Sequence, residues 1–187
     1  MQNHLAVAVE ILNRIQGSYS QRQNPLPMEQ LTAKAMRYSL YLLGRKNYTN
    51  RQLQDKLKKK DYSPAVIQAV LDRLNSWHYL DDDNFTELYI RERLRLKPRG
   101  RHILLRELKL KGITQELAKE KITKIMLEEN LDDRSLAERT LQKKLGSYLK
   151  VPAEKGAQRA RNYLLRQGFS YEITDKLINK HWKTKTS

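Results

Sequence analysis

Moving 51 positions along this chain carries Leu53 onto Leu104, Leu57 onto Leu108, Val66 onto Leu117, Leu71 onto Ile122 and Leu74 onto Ile125. The same step carries Ser63 onto Thr114 and Leu80-Asp81-Asp82 onto Leu131-Asp132-Asp133, then Phe85 onto Leu136 and Leu94 onto Leu145, without a gap. A further step of 56 takes Leu108 to Leu164, Gly112 to Gly168 and Thr114 to Ser170. Amphipathic helices resemble one another by chance, but chance does not align leucines, hydroxyl residues and an Asp-Asp pair in one register. A repeat of this length, built of short helices, is a module that buries only part of its apolar face and shares the rest with a neighbour.

Within the first copy, Pro27 suits a first helical turn, and Leu31, Ala35, Tyr38 and Leu42 recur at three- to four-residue spacing up to Gly44, a helix stop. Thr49 reads as the N-cap of a second helix carrying Leu53 and Leu57. Ser63, followed by Pro64, caps a third with Val66, Val70, Leu71 and Leu74 on its apolar side. Few segments alternate with period two. The expected fold class is therefore all-α, with tandem three-helix repeats over residues 28–80, 81–131 and 132–187. Residues 1–27 are expected to hold an extra helix, over 3–15, and a polar linker.

Composition narrows the partners. A hydrophobic fraction of 39% is low for one thick core and fits small stacked modules. The absence of cysteine excludes disulfides, thiol catalysis and cysteine zinc sites. No stretch approaches the roughly 20 apolar residues that span a bilayer, and Glu10 and Arg14 interrupt the start, so neither insertion nor export is expected and a cytoplasmic location is. A net charge of +16 calls for a polyanion: nucleic acid, an acidic membrane surface or an acidic protein face.

Chemistry-bearing clusters are few. Asp81, Asp82, Asp83, Asp132 and Asp133 precede expected helices, where a carboxylate accepts orphan N–H bonds; a divalent-cation site is the competing reading. His4, His78, His102 and His181 are scattered outside any nucleophile motif, and no glycine-rich phosphate loop occurs. Neither an enzyme nor a cofactor is expected. The basic residues are better organised. Arg91, Arg95, Lys97, Arg99, Arg101, Arg106, Lys109 and Lys111 crowd one segment, and Arg99, His102, Arg106 and Lys109 share a helical sector away from Leu104 and Leu108. Arg51, Lys56 and Lys58 give the first repeat a related face, and Lys155, Arg159 and Arg166 share a sector in the third. Such stripes can track phosphates; a solvated face is the plainer reading of any single one. Trp77, Tyr79, Phe85 and Tyr89 flank a repeat junction and read as core, with base stacking as the alternative.

The run LNSWHYLDDDNFTELYIRERLRLKPRGRHILLRELKLKGI, residues 74–113, resembles the RecX family: a leucine helix leads to Tyr-Leu-Asp-Asp, an aromatic, an arginine-bearing helix, then Gly and Glu-Leu-x-x-Lys-Gly-Ile. Residues 45–57 and the Lys60-Asp61-Tyr62 turn match as well, and the likeness extends over about residues 33–182. His78 stands where the family usually has a small residue, Thr86 where it has Ala and Gln52 where it has Glu. The resemblance implies an elongated, curved, monomeric regulator of recombination and DNA repair. It would bind the RecA recombinase and its filament on single-stranded DNA, with double-stranded DNA a further partner, and modulate ATPase and strand exchange, usually by inhibition. Two other classes remain: a sequence-nonspecific nucleic-acid binder without a recombinase partner, and a basic ribosome-associated protein.

Overall fold

A computed structural model describes residues 27–182. The helix expected over 3–15 and the linker after it lie outside the described residues. Nine helices and no strand are found among those described: α1 Met28–Leu43, α2 Asn50–Lys58, α3 Pro64–Ser76, α4 Asp82–Leu96, α5 Arg101–Leu110, α6 Gln115–Glu128, α7 Asp133–Tyr148, α8 Ala153–Arg166 and α9 Tyr171–Trp182. They fall into three consecutive triplets.

The register recurs in the caps. The third helix of each triplet begins at a hydroxyl that accepts a backbone N–H: Ser63 from Val66 at 3.4 Å, Thr114 from Leu117 at 3.3 Å and Ser170 from Ile173 at 3.3 Å. Helix α2 starts with a full capping box, Thr49 Oγ1 accepting from the Gln52 N–H while Gln52 Oε1 accepts from the Thr49 N–H. Asp81 and Asp132 accept from the Asn84 and Ser135 N–H groups at 2.9 and 2.6 Å, opening α4 and α7. Each second helix ends in a left-handed residue, Asp61, Gly112 and Gly168, with φ of 59°, 90° and 88°.

Two apolar cores result. The first module closes on itself, with Ala35, Leu53, Leu57, Val70 and Leu74 fully covered. Modules two and three share one continuous core that runs from Ile90 and Leu94 through Leu104, Leu108, Ile122 and Ile125 to Leu136, Leu141, Leu164 and Leu177.

Two expectations need correction. The buried ridge of α1 is Ala35, Met36 and Ser39, and Leu31, Tyr38 and Leu42 only flank the core, because α1 meets α3 along the 35–36–39 line. Trp77 and Tyr79 are not core residues: they are 52% and 58% exposed and meet edge to face, 6.4 Å between centroids. His78 takes φ 57°, and this left-handed turn swings the chain so that Leu80 enters the core. A small residue is the natural occupant of such a position. Phe85 and Tyr89 do pack against the core, stacked 6.1 Å apart.

Candidate polyanion-binding surface

The second helices of the three modules meet end to end. Thr49 Oγ1, before α2, donates to the Lys111 carbonyl that ends α5. The Gly100 N–H, before α5, donates to the Gln167 carbonyl that ends α8, at 2.8 Å. Glycine recurs here because the junction leaves no room for a side chain: a Cβ on Gly100 would stand 2.0 Å from the Gly168 carbonyl oxygen, and one on Gly112 2.3 Å from the Arg51 Cβ. The acidic residues that open the first helices complete the joints. Asp82 accepts from the Asn50 N–H at 2.9 Å, and Asp133, its repeat equivalent, accepts from Arg101 Nε at 3.0 Å.

This end-to-end order places the α2 stripe beside the α5 stripe. Arg51, Lys56 and Lys58 on α2 and His102, Arg106 and Lys109 on α5 are exposed. Arg51 and Lys58 occupy the module positions of His102 and Lys109, so the two stripes take the same sector. Lys155, Arg159 and Arg166 on α8 are exposed too. Arg159 and Arg166, however, take the positions of Ile103 and Leu110, which turns the third stripe about 70° round its helix. Arg95 and Lys97 are exposed at the C-terminal end of α4.

The other candidates are engaged inside the protein. Arg91 is bound by Glu87, Glu128 and Glu129 at 2.9, 2.6 and 2.9 Å, tying α4 to α6. Its guanidinium is held protonated well above the ordinary arginine value, first by the Glu87 hydrogen bond. Arg99 precedes α5 instead of lying on it; it donates to Gln167 Oε1 and sits 3.8 Å from Glu107. Arg101 bonds Asp133 and Thr123. Lys111 lies half-covered over the Tyr89 and Phe85 rings, 4.8 and 5.8 Å from their centroids. Burial pulls its ammonium below the ordinary lysine value, aided by the charges of Arg93 and Lys46.

The aspartate clusters are committed likewise, Asp81 and Asp132 to helix caps, Asp82 and Asp133 to joints, and Asp83 to Lys121 at 2.5 Å. Lys121 is the cation that sequence reasoning passed over: it stands where the first module has the core residue Val70, and its side chain is 8% exposed. Arg139 and Lys143 were missed as well; they donate to the Leu94 and Leu96 carbonyls at 2.6 and 3.3 Å, closing the end of α4. No local signal marks them, since the carbonyls they bind lie 45 and 47 residues earlier in the chain.

Fold and surface together define a tandem array of three-helix modules joined through their second helices, with basic faces turned outward. The chain belongs to the RecX family: models of the first, second and third three-helix domains of RecX match residues 35–74, 81–122 and 132–178, in that order. Regulatory protein RecX of Bacillus subtilis is 32% identical over 140 residues, 75% of this chain and 52% of the relative. That of Pelodictyon phaeoclathratiforme is 32% identical over 138 residues, 74% of this chain and 82% of the relative. The chain thus spans about half the length of the Bacillus relatives it matches. The crystal structure of RecX from Lactobacillus salivarius superposes with a TM-score of 0.68 at 21% identity, covering 82% of this chain and 97% of that one. Each of these curated relatives bears the name of a regulatory protein. Among the described residues no helix is long and apolar enough to cross a membrane.

Proposed function

We propose that this chain is a cytoplasmic, non-catalytic regulator of homologous recombination and DNA repair. It binds the RecA recombinase and its filament on single-stranded DNA and inhibits ATPase and strand exchange. The observation that carries this reading is the ordered match of three RecX domains on a chain of net charge +16. The contact surface is the joined α2–α5 face, with Arg51, Lys58, Arg106 and Lys109 meeting filament phosphates or acidic recombinase side chains and the α8 stripe extending it. Arg91, Arg99 and Arg101 act at one remove, by fixing the joints that present this face. The chain acts as a monomer, and an array of end-to-end modules suits a partner that is itself a repeating filament.

The test is inhibition of recombinase ATPase on single-stranded DNA at two salt concentrations. Lys58→Ala, Arg106→Ala and Lys109→Ala together should weaken potency roughly tenfold or more and flatten the logarithmic salt slope by up to about one per lost phosphate contact. Unchanged potency and salt response would remove the face from the mechanism. Equal affinity for free single-stranded DNA and for the filament would favour a nucleic-acid binder without a recombinase partner.

A further inference from the structure

The first and second modules meet over a cleft of about 320 Å³. Lys46, Asn47 and Gln52 line it from the first module, and Phe85, Tyr89 and Lys111 from the second. Two lysines therefore reach one hollow from opposite sides of a joint. Lys46 Nζ rides over the Tyr48 ring at 4.6 Å and Lys111 Nζ over Tyr89 at 4.8 Å. Among the described residues neither ammonium has a carboxylate within salt-bridge distance; Arg93, by contrast, is tied to Glu107 at 3.1 Å.

Lys111 has lost part of its hydration and is repelled by Arg93 and Lys46; in return it has the ring faces and the more distant charges of Glu107 and Glu92, with no direct carboxylate partner. Cation–π contact offsets part of such a cost and leaves the ammonium's hydrogen-bonding capacity open. An anion entering the cleft would relieve the repulsion and supply the missing acceptors. Amide donors stand beside the lysines: the Asn47 side chain, and Gln52 Nε2, whose Oε1 partner is occupied in the capping box. Leu88 and the stacked Phe85 and Tyr89 add an apolar wall; Glu92 also lines the cleft and repels any anion, against the pull of the two lysines.

The other junction lacks this chemistry. There the positions of Phe85, Tyr89 and Lys111 hold Leu136, Thr140 and Gln167. The nearby cations Arg139 and Lys143 are spent on the carbonyls that end α4.

We infer that this cleft is a nucleotide-phosphate site, Lys46 and Lys111 clamping the phosphate oxygens while the wall of Phe85 and Leu88 takes the sugar or base. Two sources share that chemistry, a phosphate of a nucleic-acid strand and a free nucleoside diphosphate. The site adjoins the α2–α5 joint but uses none of the exposed stripe residues, and it holds whether or not the partner is a recombinase. Occupancy would bridge modules one and two and fix the angle between them.

Lysine reactivity in the full chain reads the site directly. Reductive methylation followed by peptide mass spectrometry is run with no addition, with a short oligothymidylate, with ADP and with oligoglutamate. At ten times the dissociation constant a bound ligand should slow methylation of Lys46 and Lys111 roughly tenfold. Exposed Lys119, on α6, serves as the control. Protection by the oligonucleotide alone assigns a strand phosphate, and protection by ADP also assigns a free nucleotide. No protection by either, or protection by oligoglutamate alone, overturns the proposal. Lys46→Met with Lys111→Met, titrated by isothermal calorimetry because the footprinted lysines are gone, should bind the protecting ligand roughly tenfold more weakly. If that double variant folds poorly, the footprint on the unaltered chain still decides.

Discussion

The two junctions of this molecule join the same kind of module by different means. Between modules two and three the apolar core is continuous, from Ile90 to Trp182, and the joint is closed by backbone pressed on backbone at Gly100 and Gly168. Between modules one and two the cores are separate, and the contacts are polar: Thr49 to the Lys111 carbonyl and Asn50 to Asp82. Shared apolar burial makes neighbours fold together, whereas a few hydrogen bonds, each worth about 1 kcal/mol net, hold them in place without coupling their folding strongly. The second and third modules therefore form one cooperative body, and the first is a semi-independent unit hinged onto it.

The largest effect separates the two cores. Leu74→Ala removes a fully buried side chain of the first core and should cost about 2–5 kcal/mol there. Native-state hydrogen exchange should show the loss across α1 to α3 while amides of α6 and α9 keep their protection. Leu141→Ala, of the shared core, should lower protection in α5 and α6 as well as in α7 to α9. Protection that falls equally over the whole chain in both variants would erase the distinction.

A smaller change should break the tighter joint. Gly100 has an ordinary φ of −68°, so alanine there is not strained in its backbone, but its Cβ would collide with the Gly168 carbonyl, which has no flexible end to move aside. Gly100→Ala should cost about 1–3 kcal/mol in urea unfolding and loosen the third module from the second. A melting curve equal to that of the parent would show that the joint yields.

The helices and their order were legible because the information is local and repeated: Ser63, Thr114 and Ser170 cap helices one register apart, and Leu53 and Leu104 are both fully buried. The exposed stripes were legible for the same reason, since Arg106 and Lys109 need only their own helix to be placed. Joints were not. Whether Arg99 faces solvent or Gln167 depends on which helix end arrives beside it, and nothing within a few residues of Arg99 encodes that. Trp77 and Tyr79 failed as core residues because one left-handed residue, His78, decides which neighbour turns inward. Lys121 breaks the apolar pattern of its helix, and its partner Asp83 lies a whole helix pair away.

Acid should separate the two bodies further. Hydrogen bonds from Arg91, Ser135 and Lys180 hold the carboxyls of Glu87, Asp132 and Glu138 below their ordinary values of 4.5, 3.8 and 4.5. All three belong to the second and third modules. A carboxylate whose folded pKa is depressed contributes stability that is fully present above its unfolded value and lost as pH falls through the folded one. Urea unfolding followed at pH 7, 5 and 3 should therefore show little change between the first two and a decline at the third. Glu138→Gln should blunt that decline. Constant stability down to pH 3 would count against these bonds.

The smallest effect tests why glycine recurs at the end of the second helix. Asp61, Gly112 and Gly168 share a left-handed φ, yet only the last two have a neighbour pressed against them, Arg51 and Ile103. Asp61 is exposed, and no preceding module's second helix abuts it among the described residues. If φ alone selected glycine, Asp61 would be a defect worth the left-handed penalty of about 1 kcal/mol. Aspartate bears that conformation better than most side chains, and glycine loses more backbone entropy on folding, so the two nearly cancel. Asp61→Gly should thus raise stability of the first module by no more than about 0.5 kcal/mol, while Gly112→Asp, strained in the same φ and also blocked by the Arg51 Cβ, should detach the first module from the second. Equal and opposite shifts for the two changes, read by urea unfolding, would assign the recurring glycine to backbone conformation; a large loss at Gly112 beside a negligible gain at Asp61 assigns it to the joint, where the Arg51 side chain of the first module leaves space for hydrogen alone.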